Sequence, residues 1–174
     1  LQRINDQVFA RDKRVVKVMA SLSDTTSHIL FCNSEGISYY DYRPMVSLSI
    51  LCVMQDGKRM ENGHASRSYQ KGFEFLSDDL IDELTQEVVD STAISFQAIK
   101  PQGGEMPVVM GAGGSGILLH EAIGHAFEAD FNRKNISIFS DKLGQLICDK
   151  QISVLDDATI PFNRGSLNID DEGV

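Results

Sequence analysis

Residues 117 to 130 read ILLHEAIGHAFEAD and hold two of the four histidines in the chain, His120 and His125, with Glu121 beside the first. Neutral imidazole is the usual nitrogen ligand for Zn²⁺. A catalytic zinc keeps three protein ligands and a water whose pKa falls to about 7. A glutamate next to such a water can take its proton during attack on a carbonyl and deliver it to the leaving group. Metal-assisted hydrolysis is therefore the chemistry these residue types offer.

The spacing leaves two outcomes open. Each residue of a regular helix advances about 100°, so positions four apart differ by about 40° and can grip one ion. His120 and His125 are five apart and differ by about 140°. In an undistorted helix they cannot share a metal. A π-type turn with one extra residue would bring both rings to one side, and such turns are concentrated at functional sites. Gly124, directly before His125, supplies the backbone freedom such a distortion needs. On residue types alone, two histidines satisfying hydrogen bonds on an apolar helix remain the competing reading. Ile117, Leu118, Leu119, Ile123 and Phe127 are expected to pack the helix and keep the site dry. Glu128, three residues after His125, is read as a solvated helix residue, with a makeshift oxygen ligand as the alternative.

Just upstream, Gly111, Gly113 and Gly116 match G-x-G-x-x-G. The dinucleotide fingerprint demands a strand before it, and a second strand with a terminal acidic residue after it. The second strand is not found where it should be, so a structural turn is the preferred reading. A helix N-terminus holding a carboxylate or an oxyanion comes second, and a nucleotide site third.

The elements that must position these groups follow from periodicity. Leu1, Ile4, Val8 and Phe9 mark a short amphipathic helix over residues 1 to 12. From Arg14 the period changes to two, and SHILFCNS, ISYYDY, MVSLSILCVMQ and KRMENGHASRSY follow as strand candidates. SEG and Asp56-Gly57 provide turns, which suggests a four- or five-stranded antiparallel meander. Ser77 reads as the N-cap of a helix to about residue 99. Its apolar stripe is Leu80, Ile81, Leu84, Val88, Ile94 and Ile99. KPQGGE is a linker, MPVVM (106 to 110) a short buried strand, and a second helix is expected from about 116 to 129. ISVLDD is a further possible strand. The fold class is α+β, a largely antiparallel sheet with packed helices.

Bulk properties narrow the function classes. Of 174 residues, 42% are hydrophobic and 24% charged, an ordinary globular balance. A net charge of −9 with no Lys/Arg patch argues against a nucleic-acid partner. No run of 18 apolar residues offers a membrane span, and the polar N-terminus does not fit a secretory signal. Cys32, Cys52 and Cys148 are widely separated among apolar neighbours, which suggests buried thiols in a reducing cytoplasm. The chain starts at Leu1 and stops within an acidic run, so a fragment of a longer protein is expected. His28 and His64 fall in the strand region as surface or edge residues. DFNRK (130 to 134) reads either as a brace for the histidines and substrate or as a loop that ends the helix.

The stretch GEMPVVMGAGGSGILLHEAIGHAFEADFNRKNISIFSDKLGQ, together with VLDDATIPFNRGSLNIDDEG, closely resembles the TldD branch of the TldD/PmbA family, also called modulators of DNA gyrase. The resemblance is strongest over residues 104 to 173. The HExxxH signature at 120 to 125 is specific, because the sister PmbA branch lacks it. The resemblance implies a cytoplasmic zinc metallopeptidase that cleaves unfolded or extended peptides, with a homologous subunit or a second copy as partner. It implies His120 and His125 as zinc ligands and Glu121 as general base. It also implies a third ligand from a cysteine of the family's C-terminal domain, a context that none of the three cysteines matches. The expected organisation is an N-terminal α+β portion over 1–103 (meander plus helix) and an HExxxH portion over 104–174, truncated before the family's C-terminal domain. The fragment is expected to be inactive alone and to hold zinc weakly or not at all. A non-catalytic peptide- or partner-binding module is the rival from a different class.

Overall fold

The computed structural model describes residues 1–171 and Gly173. Residues 1–100 with 157–174 form one compact unit and residues 101–156 a second. The first unit begins with α1 (Gln2–Arg11) and continues into β1 (Val15–Cys32), β2 (Ser38–Asp56) and β3 (Arg59–Tyr69). α2 (Asp78–Ser95) follows. The strands form one antiparallel sheet in the order β1-β2-β3. The expected α+β class is what the chain adopts.

The meander has three strands, in place of four or five. SHILFCNS is the continuation of β1, and ISYYDY runs into MVSLSILCVMQ as a single 19-residue β2. Pro44 lies inside β2, opposite Thr26, and does not interrupt it. It sits beyond Tyr69, the last β3 residue paired to β2, so its missing N–H falls on an open stretch of edge. The first turn is held by the Asn33 side chain, whose Oδ1 accepts from Glu35 N and Ile37 N at 3.0 Å each. Gly36 there has φ +81, and Gly57 in the second turn has φ +58, a region that favours glycine.

The core lies between the sheet and the two helices. Val46, Leu48, Ile50, Cys52 and Met54 alternate along β2 and are all buried. They meet Ile4 and Val8 of α1 and Leu84, Val88 and Val89 of α2. Ser77 caps α2 as expected, its Oγ accepting from Leu80 N at 3.2 Å. The helix stops at Ser95, short of residue 99. Arg59 reaches across from β3 and donates to the carbonyls of Phe96 (2.7 Å) and Ser95 (2.9 Å), satisfying the free C-terminal groups. The buried stripe also differs. Thr85, Val89 and Thr92 are inside, while Ile94 and Ile99 are exposed. Ile94 lies six residues beyond Val88, about 240° round the helix axis.

Of the three thiols expected to be buried, only Cys52 is; Cys32 and Cys148 are exposed. Cys52 occupies the core face of β2, whereas Cys32 stands at the far end of the hairpin. MPVVM and ISVLDD are irregular chain, not strands.

At the outer end of β2 the side chain of Asp41 is 4% exposed. It accepts from Asn168 Nδ2 at 2.7 Å and from Arg43 Nε at 2.5 Å, and Arg43 also donates to Ile169 O at 2.8 Å. These bonds tie residues 168–169 to the hairpin. The Asn168 amide and then the Arg43 guanidinium hold the Asp41 carboxyl below its ordinary value of 3.8. A depressed folded pKa gives stability that is present above the unfolded value and is lost as pH falls through the folded one. Asp41→Asn is therefore expected to lower stability at pH 7, with the gap to the unsubstituted chain closing below about pH 3.9. Urea unfolding at both pH values checks this, and a gap independent of pH would contradict it. The acidic run expected near the end includes Glu172, which lies outside the described residues. Among the described residues, no helix is long and apolar enough to cross a membrane.

Candidate metal centre

The second unit begins with irregular chain that Gly113, at φ +106, turns into α3 (Ser115–Ala122). Gly116 N donates to Gly113 O at 2.8 Å to open the first turn. The dinucleotide fingerprint needs a strand before this turn, and residues 106–110 are not one. That leaves the glycines as the structural turn.

α3 does not run to residue 129. It ends at Ala122, and Ile123 adopts φ −128, ψ −47. A 3₁₀ turn over Gly124–Phe127 follows, then α4 (Ala129–Arg133). The winding is thus distorted between the histidines, the condition under which the two rings can share an ion. The distortion takes the form of a helix end followed by a tighter turn, in place of one widened turn. A β-branched residue followed by glycine is a weak place in a helix, which accounts for the break falling there.

The consequence is convergence. The rings of His120 and His125 have centroids 4.4 Å apart at 64°. One ligand atom from each of His120, Glu121 and His125 lies within 4.8 Å of the others. His125 Nε2 is 3.7 Å from Glu121 Oε2. Ligands 2.0–2.1 Å from a tetrahedral zinc stand about 3.3 Å apart, and the two imidazole donors, within 4.8 Å of one another, come near that separation. Two imidazoles are also donor chemistry that zinc prefers, and the Glu121 carboxylate stands beside them. The residues fit the metal.

On its other nitrogen, His125 Nδ1 is 2.5 Å from Glu128 Oε1. That hydrogen bond, followed by the charges of Glu128 and Glu121, raises the His125 pKa above its ordinary 6.5. Gly124 matters here for its lack of a side chain. A Cβ there would stand 3.3 Å from His120 Nδ1, so glycine leaves the ring its place over the turn. The turn is clasped from downstream. Asn132 Nδ2 donates to Ala126 O and to Glu128 O, both at 2.9 Å, and Ser137 Oγ donates to Ala126 O at 2.5 Å. Phe127 stacks on Phe139 at 4.8 Å. DFNRK is thus mostly helix, its end joined by a Lys134–Asp130 pair at 3.0 Å.

The site is not dry. His120, Glu121 and His125 are exposed, and Ile117, Leu118, Leu119 and Phe127 are 66%, 59%, 43% and 47% exposed. No described residue of 101–156 is buried, because no sheet or second helix layer within that unit lies against α3. An open cleft of about 640 Å³ adjoins His120, with Ile123, Phe127, Ile147, Val154 and Leu155 among its walls. His28 and His64 are exposed on the strands and do not belong to the cluster. His28 Nδ1 pairs with Tyr40 Oη at 2.5 Å and His64 Nε2 with Ser49 Oγ at 2.9 Å.

Residues 1–96 match the family profile described as the PmbA/TldA metallopeptidase central domain, and residues 103–174 match its C-terminal domain. The chain belongs to the PmbA/TldD metallopeptidase family. It is 41% identical over 170 residues to the metalloprotease TldD homolog of Haemophilus influenzae, covering 95% of this chain and 35% of that one. A metalloprotease TldD homolog of Buchnera aphidicola is 36% identical over 170 residues, covering 94% and 35%. The zinc metalloprotease TldD homolog of Saccharolobus solfataricus is 27% identical over 175 residues, covering 100% and 39%. The chain thus spans little more than a third of the length of these PmbA/TldD relatives.

Proposed function

We propose that this chain carries the metal site of a zinc-dependent peptidase that hydrolyses peptide bonds in unfolded or extended peptides. His120 and His125 hold the ion, and Glu121 is the general base. The observation that carries this reading is the gathering of donor atoms from His120, Glu121 and His125, three residues of one short stretch, to within 4.8 Å. Bound zinc supplies a Lewis acid for the scissile carbonyl and lowers the pKa of water to about 7. Glu121, with Oε2 3.7 Å from a ligating nitrogen, stands where it can accept the proton of the attacking water and pass it to the leaving amine.

The exposure of all three side chains supports an extended substrate, since a backbone free of its own tertiary structure can reach them. The apolar walls of the adjoining cleft suit one of its side chains. A homologous subunit or a second copy of the chain as partner, and a cytoplasmic setting, belong to the same proposal.

Elemental analysis of the full-length protein is expected to find one zinc per chain. Removing the metal with a chelator and restoring it should stop and restart peptide cleavage. A protein that cleaves peptides without any metal would overturn the reading.

A further inference from the structure

We infer that Glu128 is a positioning residue for the metal centre, holding the His125 ring so that Nε2 faces the ion. The inference rests on the metallopeptidase reading above and adds to it a residue that acts through a ligand.

The geometry assigns each nitrogen of His125 a different task. A carboxylate can only accept a hydrogen bond, so the 2.5 Å contact places a proton on Nδ1 and makes Nε2 the nitrogen that is left to bind an ion when the ring is neutral. Nε2 is the atom that approaches Glu121 Oε2 at 3.7 Å, on the side where donor atoms gather. Glu128 itself is not among the three residues of that group. A metal-bound histidine ordinarily donates its second N–H to a carboxylate or carbonyl, which fixes the ring and raises its basicity as a ligand.

Glu128 is well placed for this work because its backbone is held independently of its carboxylate. At φ −54, ψ 131 it stands between the 3₁₀ turn and α4. Its carbonyl accepts from Asn132 N at 3.1 Å and Asn132 Nδ2 at 2.9 Å. Ser137 and Asn132 hold Ala126 O in the same turn. Deleting the carboxylate therefore leaves the turn's own fastenings in place and frees only the ring of His125.

Glu128→Ala and Glu128→Gln in the full-length protein test the assignment. Zinc affinity is read by competition with a chromophoric chelator, the Co²⁺ absorption spectrum reports ligand number, and thermal unfolding of the metal-free protein reports the fold. Glu128→Ala is expected to weaken zinc binding about 10- to 100-fold. Its unfolding midpoint and the coordination number seen with Co²⁺ should not change. Glu128→Gln keeps an acceptor for Nδ1–H and should recover part of the loss. Unchanged affinity in Glu128→Ala overturns the assignment, and so does a changed Co²⁺ coordination number, which would make Glu128 a ligand. Failure of the unsubstituted protein to bind zinc overturns the metallopeptidase reading and this inference with it. The two failures are thus told apart.

Discussion

Glu121→Gln in the full-length protein is expected to retain zinc and to lose peptide cleavage by about 10²- to 10⁴-fold, the range that positioned proton transfer supplies. Glutamine has nearly the shape of glutamate and keeps an oxygen and hydrogen-bonding capacity, but it cannot accept a proton at neutral pH. If the carboxylate works as base, the loss falls on kcat, with KM little changed, because the interaction is made in the transition state. Zinc content separates this role from the alternative that the geometry offers. Glu121 Oε2 is 3.7 Å from His125 Nε2, close enough for the carboxylate to serve as a ligand. Loss of zinc together with cleavage would make it one. Cleavage that survives the substitution would remove Glu121 from the chemistry.

Gly63→Val is expected to destabilise the first unit by about 3 kcal/mol, toward the upper end of overpacking costs. Gly63 pairs with Cys52 across the sheet and lies under α2. A Cβ at this position would come within 2.3 Å of Thr92 Oγ1, 2.9 Å of Ser91 Oγ and 3.0 Å of Thr92 N. Thr92 cannot simply swing away, because its hydroxyl is fully buried and donates to Val88 O at 2.6 Å. The backbone nitrogen among those atoms means that the helix itself must lift from the sheet, loosening Leu84, Val88 and Val89 together. Urea unfolding measures the loss. Combining Gly63→Val with Thr92→Ala should recover part of it, since neighbours in contact are not additive. An unchanged unfolding midpoint for Gly63→Val would show that α2 does not sit so close to β3.

Much of the first unit was legible in the chain. The alternation of Val46, Leu48, Ile50, Cys52 and Met54 marks one buried face, and Asp56-Gly57 marks the turn after it. Ser77 with Asp78 and Asp79 marks the start of α2. What misled was continuity. ISYYDY and MVSLSILCVMQ read as separate strands, yet they are one continuous β2 with Pro44 inside it. The stripe of α2 was extended to Ile94 and Ile99 because they are apolar, although the buried face is completed by Thr85, beside Arg11 of α1, and by Thr92, against Gly63 of the sheet. Those hydroxyls go inside because each bonds a carbonyl of its own helix, Thr85 to Asp82 O and Thr92 to Val88 O.

In the candidate site, residue types alone pointed to His120, Glu121 and His125, and the five-residue step left open whether the helix between them is regular or distorted. Whether the rings meet depends on torsions at Ile123 and on a 3₁₀ turn held by Asn132 and Ser137. Those clasps run from side chain to backbone, leave no periodic trace, and could not be read in advance. The bond from His125 to Glu128 likewise needed the turn to be in place, since position i+3 allows contact without requiring it.

By itself the sequence determined which residues can bind a metal, which segments alternate or coil, and where the turns come, because these follow from side-chain chemistry and short-range sterics. Tertiary structure alone decided how many strands those segments make, which helix face is covered, and that two histidines out of helical phase come together. Each of these depends on what lies opposite a residue, and that is settled only when the chain has folded back on itself.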